Sequence, residues 1–174
     1  NFTLPLARHA AHVVGIEGET DLIGRARDNA RRNSISNVDF HVADLTAVDR
    51  QLLWTQRPYA RVLLDPPRVG ASEEVLRLVA NSGARRVVYV SCHPGSLARD
   101  SGILAGEMGF RLEAAGVIDM FPHTSHVESI DEHQPSHRRN PLEQVDRHRP
   151  ARVDDDPGRV IRANAVGTVD RLDG

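Results

Sequence analysis

Short aliphatic runs and stretches of helical composition take turns along residues 1–130, and this alternation leaves very few architectures open. Val13 to Glu17 (VVGIE) reads as a short strand and Asp21 to Asn33 as a helix. Val38 to Asp44 alternates like a strand, and Arg61 to Asp65 (RVLLD) is a buried strand stopped by Pro66 and Pro67. Ser72 to Asn81 opens with Ser-x-Glu and sets Val75, Leu76 and Val79 on one face, the pattern of a capped helix. Arg86 to Cys92 is a further strand, and His93-Pro94 begins a helix reaching about Gly106. Phe110 to Met120 and His126 to Ile130 close the series as strands. Strands separated by helices of about ten to fifteen residues form βαβ units, so the expected fold class is α/β, a parallel sheet with helices on both faces.

In such sheets a ligand sits at the carboxyl ends of the strands. The residues that end strands here are Glu17, Asp44, Asp65 and Cys92. One acid at a strand end often does no more than cap the next helix. Three acids and a cysteine on the same rim point to a site.

Composition narrows the partners and the chemistry. A net charge of −2 excludes a chain that grips nucleic acid by bulk charge, but not a catalytic domain whose RNA grip lies elsewhere. Aromatics make up only 4%, so the core must rest on Val, Leu, Ile and Ala. The single cysteine rules out an internal disulfide and any all-cysteine zinc or iron–sulfur site within this chain. With no run near the ~18 apolar residues of a membrane span, and no leader, the reading is soluble, cytoplasmic, monomeric and without a membrane partner.

The sharpest segment is LLDPPRVGA, residues 63–71, followed by VVYVSCHPGSLARD, residues 87–100. Two prolines after a strand fix an extended turn and remove two donors, so that turn can hold an aspartate and a flat backbone edge against a planar ring. Many methyltransferases that act on base amines follow Asp-Pro-Pro with an aromatic residue; here Arg68 follows, which disfavours that alternative. A ring carbon needs different chemistry. Carbon 5 of uracil becomes nucleophilic once a thiolate adds to carbon 6, and Cys92 is the one cysteine able to do this. The positive end of the following helix favours an anionic sulfur there. After transfer, a base must take the proton from carbon 5.

LLDPPRVGA, VSCHPGSLARD and FPHTSHVES (residues 121–129) together resemble the RNA 5-methyluridine methyltransferases, and the last string is most similar to their 23S ribosomal RNA members. The resemblance covers residues 1–130 continuously. It implies a Rossmann-like, S-adenosylmethionine-dependent methyltransferase fold with Cys92 as nucleophile and Glu128 as the base. It also sets Asn1, Glu17, Asp44 and Asp65 against S-adenosylmethionine: Glu17 on the ribose hydroxyls, Asp44 on the adenine amine, Asp65 near the methionine end and the target base. Ribosomal RNA is the implied substrate, with the uracil flipped out of its stack. His123 and His126 are expected to line the uracil pocket or pack beside it, and no metal site is expected. An inactive remnant of such an enzyme is the alternative from outside catalysis.

By the same resemblance, the family's glycine-rich loop, Asp/Glu-x-Phe-Cys-Gly-x-Gly, stands just before Asn1. The first, central strand of the sheet is then expected to be missing, leaving the strands that end at Glu17 and Asp65 with unpaired edges. The family's RNA-binding domain, and the iron–sulfur cluster some members carry in it, are not expected in this chain. Residues 131–174 lack aromatics and any sustained period, so a low-order, disordered polar tail is expected, in which His133 and His137 are solvated. Rich in Arg, Asp and His within a chain that has no Lys, the tail has the composition of a shifted reading frame in a GC-rich gene; an aliphatic continuation in another frame would support that origin, and its absence would sink it.

Overall fold

The computed structural model describes residues 2–118 and 128–136, and residues 159–163 by their backbone. The elements run α1 (Thr3–Ala7), β1 (His12–Glu17), α2 (Thr20–Arg32), β2 (Val38–Val42), a 3-10 turn (Leu53–Thr55), β3 (Arg61–Leu64), α3 (Glu73–Asn81), β4 (Arg86–Ser91), α4 (Pro94–Gly106), β5 (Phe110–Ile118), β6 (Glu128–Pro135) and β7 (Arg159–Ala163). Among the described residues one sheet forms, in the order β2-β1-β7-β3-β4-β6-β5. Every pairing from β2 across to β4 is parallel, whereas β6 is antiparallel to both β4 and β5.

The expected α/β class is what the chain adopts, and the local signals explain why. Val13, Val14, Gly15 and Ile16 of β1 are buried in succession, as a strand covered on both faces requires. Helix α2 begins with Asp21 and ends with Arg31 and Arg32, charges that complement its dipole. The Ser72 side chain accepts from Val75 N–H and caps α3, whose Val75, Leu76 and Val79 are buried against the sheet. Burial of each contributes about 1.5–3 kcal/mol. The main core joins them to Val14, Val62, Leu64, Val87 and Leu104, with Trp54, Tyr59, Tyr89 and Phe110 as its aromatic members. Ala7 and Val13 form a smaller cluster under α1, an element the sequence pattern did not announce.

Two findings concern the polar segment. Strand β6 runs to Pro135, five residues past Ile130, so the boundary at 130/131 falls inside a strand. Its buried positions, Ser129, Asp131 and His133, are polar and alternate with partly exposed neighbours, which is why no aliphatic pattern marked the strand. His133 is therefore fully buried rather than solvated; His137 lies outside the described residues.

The second finding corrects the expectation of two bare edges. Residues 159–163 enter the sheet between β1 and β3: His12 to Ile16 pair with Arg159 to Ala163, and Arg61 and Val62 pair with Val160 and Ile161. Interior strand edges carry donors and acceptors that must be matched, and the backbone of residues 159–163 pairs with both neighbours. Among the described residues no helix is long and apolar enough to cross a membrane.

Candidate active site

Parallel β1, β2, β3 and β4 bring their carboxyl ends to one edge of the sheet, with Glu17, Asp44, Asp65 and Cys92 at or just beyond them. A cleft of about 370 Å³ opens there, bounded by Glu17, Gly18, Asp44, Leu45, Pro67 and Val69. It unites two of the strand-end acids with an apolar wall. A larger cavity of about 410 Å³, among Thr3, Gly15, Glu17, Arg25 and Asn29, shares only Glu17 with that set. The chemistry-bearing rim, not size, selects the first as the cofactor candidate.

Glu17 is half-buried, and its Oε1 accepts from Glu19 N–H at 3.3 Å, which steadies the turn leaving β1. Asp44 is exposed; its Oδ1 accepts from both Thr46 N–H (2.8 Å) and the Thr46 hydroxyl (2.7 Å). These bonds, the hydroxyl's first, hold its carboxyl below the usual aspartate range. Carboxylates accept up to four hydrogen bonds, so both residues retain acceptor capacity for hydroxyl or amine donors. Asp65 is half-buried at the entrance to the two prolines, and Pro67 accepts from Gly70 N–H at 2.8 Å to close a turn with Gly70 at φ 89°.

Cys92 is a half-buried free thiol between β4 and α4. On its two sides, Ser91 Oγ accepts from His93 N–H, and His93 caps α4 by accepting from Ser96 N–H at 3.1 Å. Glu128, half-buried, is the first residue of β6. Ser91 and Ser129 are partners in the β4–β6 ladder, so the chain segments that carry the adjacent Cys92 and Glu128 meet at that end of the ladder. Asn1, His123 and His126 lie outside the described residues.

One group of polar residues has no counterpart among the expected site residues. Asp100, fully buried on α4, accepts through Oδ2 from Ala71 N–H (2.8 Å) and from the Tyr89 hydroxyl (2.5 Å). Burial, and then the bond to Asp100, raises the Tyr89 phenol well above its ordinary range. The signal in the sequence was an aspartate three residues after Leu97 and four before Leu104, on the buried face of the helix.

The chain is similar to known proteins in sequence and in fold. The sequence pattern of the family described as tRNA (Uracil-5-)-methyltransferase matches residues 1–130. The chain is 56% identical over 130 residues to the 23S rRNA (uracil(1939)-C(5))-methyltransferase RlmD of Xanthomonas campestris, and 57% identical to that of Xylella fastidiosa. In each case 75% of this chain and 29% of the relative are covered, so the chain spans under a third of the relatives' length. Among solved structures, it is similar in fold to the Pyrococcus abyssi tRNA (uracil-54, C5)-methyltransferase in complex with S-adenosyl-L-homocysteine (TM-score 0.58, 23% identity, covering 76% of this chain and 37% of that one). The M. jannaschii TYW2 in complex with AdoMet has a TM-score of 0.55 at 17% identity, covering 77% and 64%. The uninterrupted match over residues 1–130 establishes that this chain belongs to the tRNA (uracil-5-)-methyltransferase family.

Proposed function

We propose that this chain methylates carbon 5 of uracil in ribosomal RNA, of the 23S type, using S-adenosylmethionine. The carrying observation is the pairing of Ser91 with Ser129, whose sequence neighbours are Cys92 and Glu128, at the end of the sheet where Glu17 and Asp44 line a cleft. Identity to two 23S rRNA uracil-C5 methyltransferases supports the substrate class, and solved relatives in complex with AdoMet or S-adenosyl-L-homocysteine support the cofactor.

The cleft's donor set fits that cofactor. Glu17 offers oxygens for a ribose diol, Asp44 for an exocyclic amine, and Leu45 and Val69 give a flat ring an apolar wall. When bound, S-adenosylmethionine supplies a methyl group on a sulfonium, an electrophile that needs no further activation. The chain's residues make the nucleophile. Cys92 sulfur bonds to carbon 6 of the flipped uracil, and the electron pair of the 5,6 double bond moves onto carbon 5 and the neighbouring carbonyl. Carbon 5 would take the methyl group as its bond to the sulfonium sulfur breaks, the electron pair of that bond staying on sulfur to leave a neutral thioether. Glu128 then removes the remaining proton from carbon 5; the double bond re-forms and the Cys92 thiolate leaves. Asp65, ahead of the rigid prolines, stands on the target-base side of the cofactor. Work on ribosomal RNA implies a cytoplasmic enzyme, and a monomer suffices because every residue invoked lies in one chain.

Calorimetric titration with S-adenosylmethionine, paired with transfer of labelled methyl to a 23S RNA transcript, tests the reading. Saturable binding, about 10–100-fold weaker for Glu17→Ala, and transfer abolished in Cys92→Ala are expected. A folded chain that binds no cofactor would reduce it to an inactive remnant of the family. Full transfer by Cys92→Ala would instead move it to base-amine chemistry.

A further inference from the structure

The turn after the Asp-Pro-Pro segment is closed from within by the bond from Gly70 N–H to the Pro67 carbonyl. Pro66 and Pro67 carry no N–H, Gly70 has a positive φ, and Arg68 and Val69 are exposed. Further ties to residues 69–71 come from the elements on either side of Cys92. From α4, the Arg99 guanidinium donates to the Val69 carbonyl at 2.9 Å, and Asp100 Oδ2 accepts from Ala71 N–H at 2.8 Å. From β4, the Tyr89 hydroxyl accepts from the same Ala71 N–H at 3.1 Å while donating to Asp100 at 2.5 Å. Arg99 Nε also donates to Asp100 Oδ1 at 2.7 Å, so both carboxylate oxygens are used. Gly70 lets the backbone come this close: a β-carbon there would fall on the Arg99 guanidinium and the Asp100 carboxylate.

Cys92 lies three residues beyond Tyr89 and eight before Asp100, so this network ties the Asp65 turn to the two elements that carry the thiol. We propose that Asp100 is a positioning residue for methyl transfer, setting the spacing between the Asp65 turn, against which the target ring rests, and the Cys92 sulfur that attacks it. This rests on the reading of Cys92 as the nucleophile. Asp100 is fully buried and offers no surface to cofactor or RNA. Its substitution should therefore slow the reaction of the assembled complex more than it weakens assembly.

Asp100→Asn tests this with minimal change in shape. An amide presents one oxygen and one NH₂, so either Ala71 N–H or the Arg99 guanidinium must then face a donor. The measurements are kcat, KM for RNA and cofactor affinity by calorimetry in the full chain, with the extent of covalent adduct on a 5-fluorouridine transcript. A misplacement near 1 Å costs up to about 100-fold, so kcat and adduct formation should fall about 10–100-fold. Cofactor affinity and RNA KM should move less than about threefold. Tyr89→Phe, which keeps the buried ring and removes one of the two acceptors, should show the same split in smaller measure and serves if Asp100→Asn fails to fold. Unchanged kcat in a folded variant overturns the proposal. So does a parallel loss of kcat and cofactor affinity together with a lowered melting temperature, which marks a general scaffold role. If Cys92→Ala keeps transfer, or the wild-type chain methylates nothing, the reading beneath has failed; if only Asp100→Asn is silent, this inference alone has failed.

Discussion

Ser101 on α4 donates its hydroxyl hydrogen to Asp131 on β6 across 2.6 Å, in a layer where both side chains are buried. His133, two residues along β6, has Nε2 3.3 Å from the same hydroxyl, and among the described residues its Nδ1 is the buried side-chain nitrogen without a partner. Burial pulls the His133 pKa below 6.5, with Asp131 opposing more weakly. The folded state thus resists a proton that the unfolded state takes up at ordinary affinity. Stability is full above the unfolded value and falls as pH drops below about 6.5, by up to about 1.4 kcal/mol per pH unit for one such group. His41 is shifted in the same direction by partial burial, so the wild-type acid slope combines both. Urea unfolding at pH 7.5 and at pH 5.5, values chosen to straddle that range, should show the loss in wild type and a smaller one in His133→Leu. Equal slopes would place the sensitivity elsewhere.

Gly70→Ala should cost about 1–3 kcal/mol, because an L residue is strained at φ 89° and the new methyl group meets the Arg99–Asp100 pair. Chemical denaturation measures the cost. Wild-type stability in this variant would mean that the turn can swing clear of α4.

Glu128→Gln separates the two halves of the proposed reaction. Carbon 5 can still take the methyl group, but its proton has no base to receive it, so Cys92 stays bonded to carbon 6. A protein–RNA adduct that survives denaturing electrophoresis and carries labelled methyl should accumulate. Normal turnover by this variant would assign proton removal to another group.

Ile161→Pro probes β7. Ile161 pairs with Val14 on one side and Val62 on the other, and proline offers no N–H to either ladder. A ladder carbonyl left without its donor costs about 1–3 kcal/mol, and the strand ends bearing Glu17 and Asp65 should lose their alignment. Melting temperature and cofactor affinity should fall together; a variant unchanged in both would show that the sheet does not depend on this strand.

How legible the molecule was in its sequence depended on how local each signal is. The Ser72 cap, the proline stop after Leu64 and the His93-Pro94 start of α4 act within a few residues, and those boundaries match the structure to within one or two positions. β6 could not be followed past Ile130 because Asp131 is buried by its bond to Ser101, thirty residues away. β7 depends on edges contributed by β1 and β3. Asp100 lay in a string whose resemblance was plain, yet its role emerges only where Ala71 and Tyr89 meet it. The strand-end rule sets Glu17, Asp44, Asp65 and Cys92 at one edge of the sheet because parallel topology alone decides that position.

The position of β7 also sets the order in which this protein can be made. β1 and β3 are complete by Leu64, but the strand that joins them is not synthesised until residue 163. About a hundred residues separate Leu64 from Ala163, so the ladders of β7 with β1 and β3 join parts of the chain far apart in sequence. Contacts of such long sequence separation carry a loop-closure cost, so pairing at the middle of the sheet should be the slow step of folding.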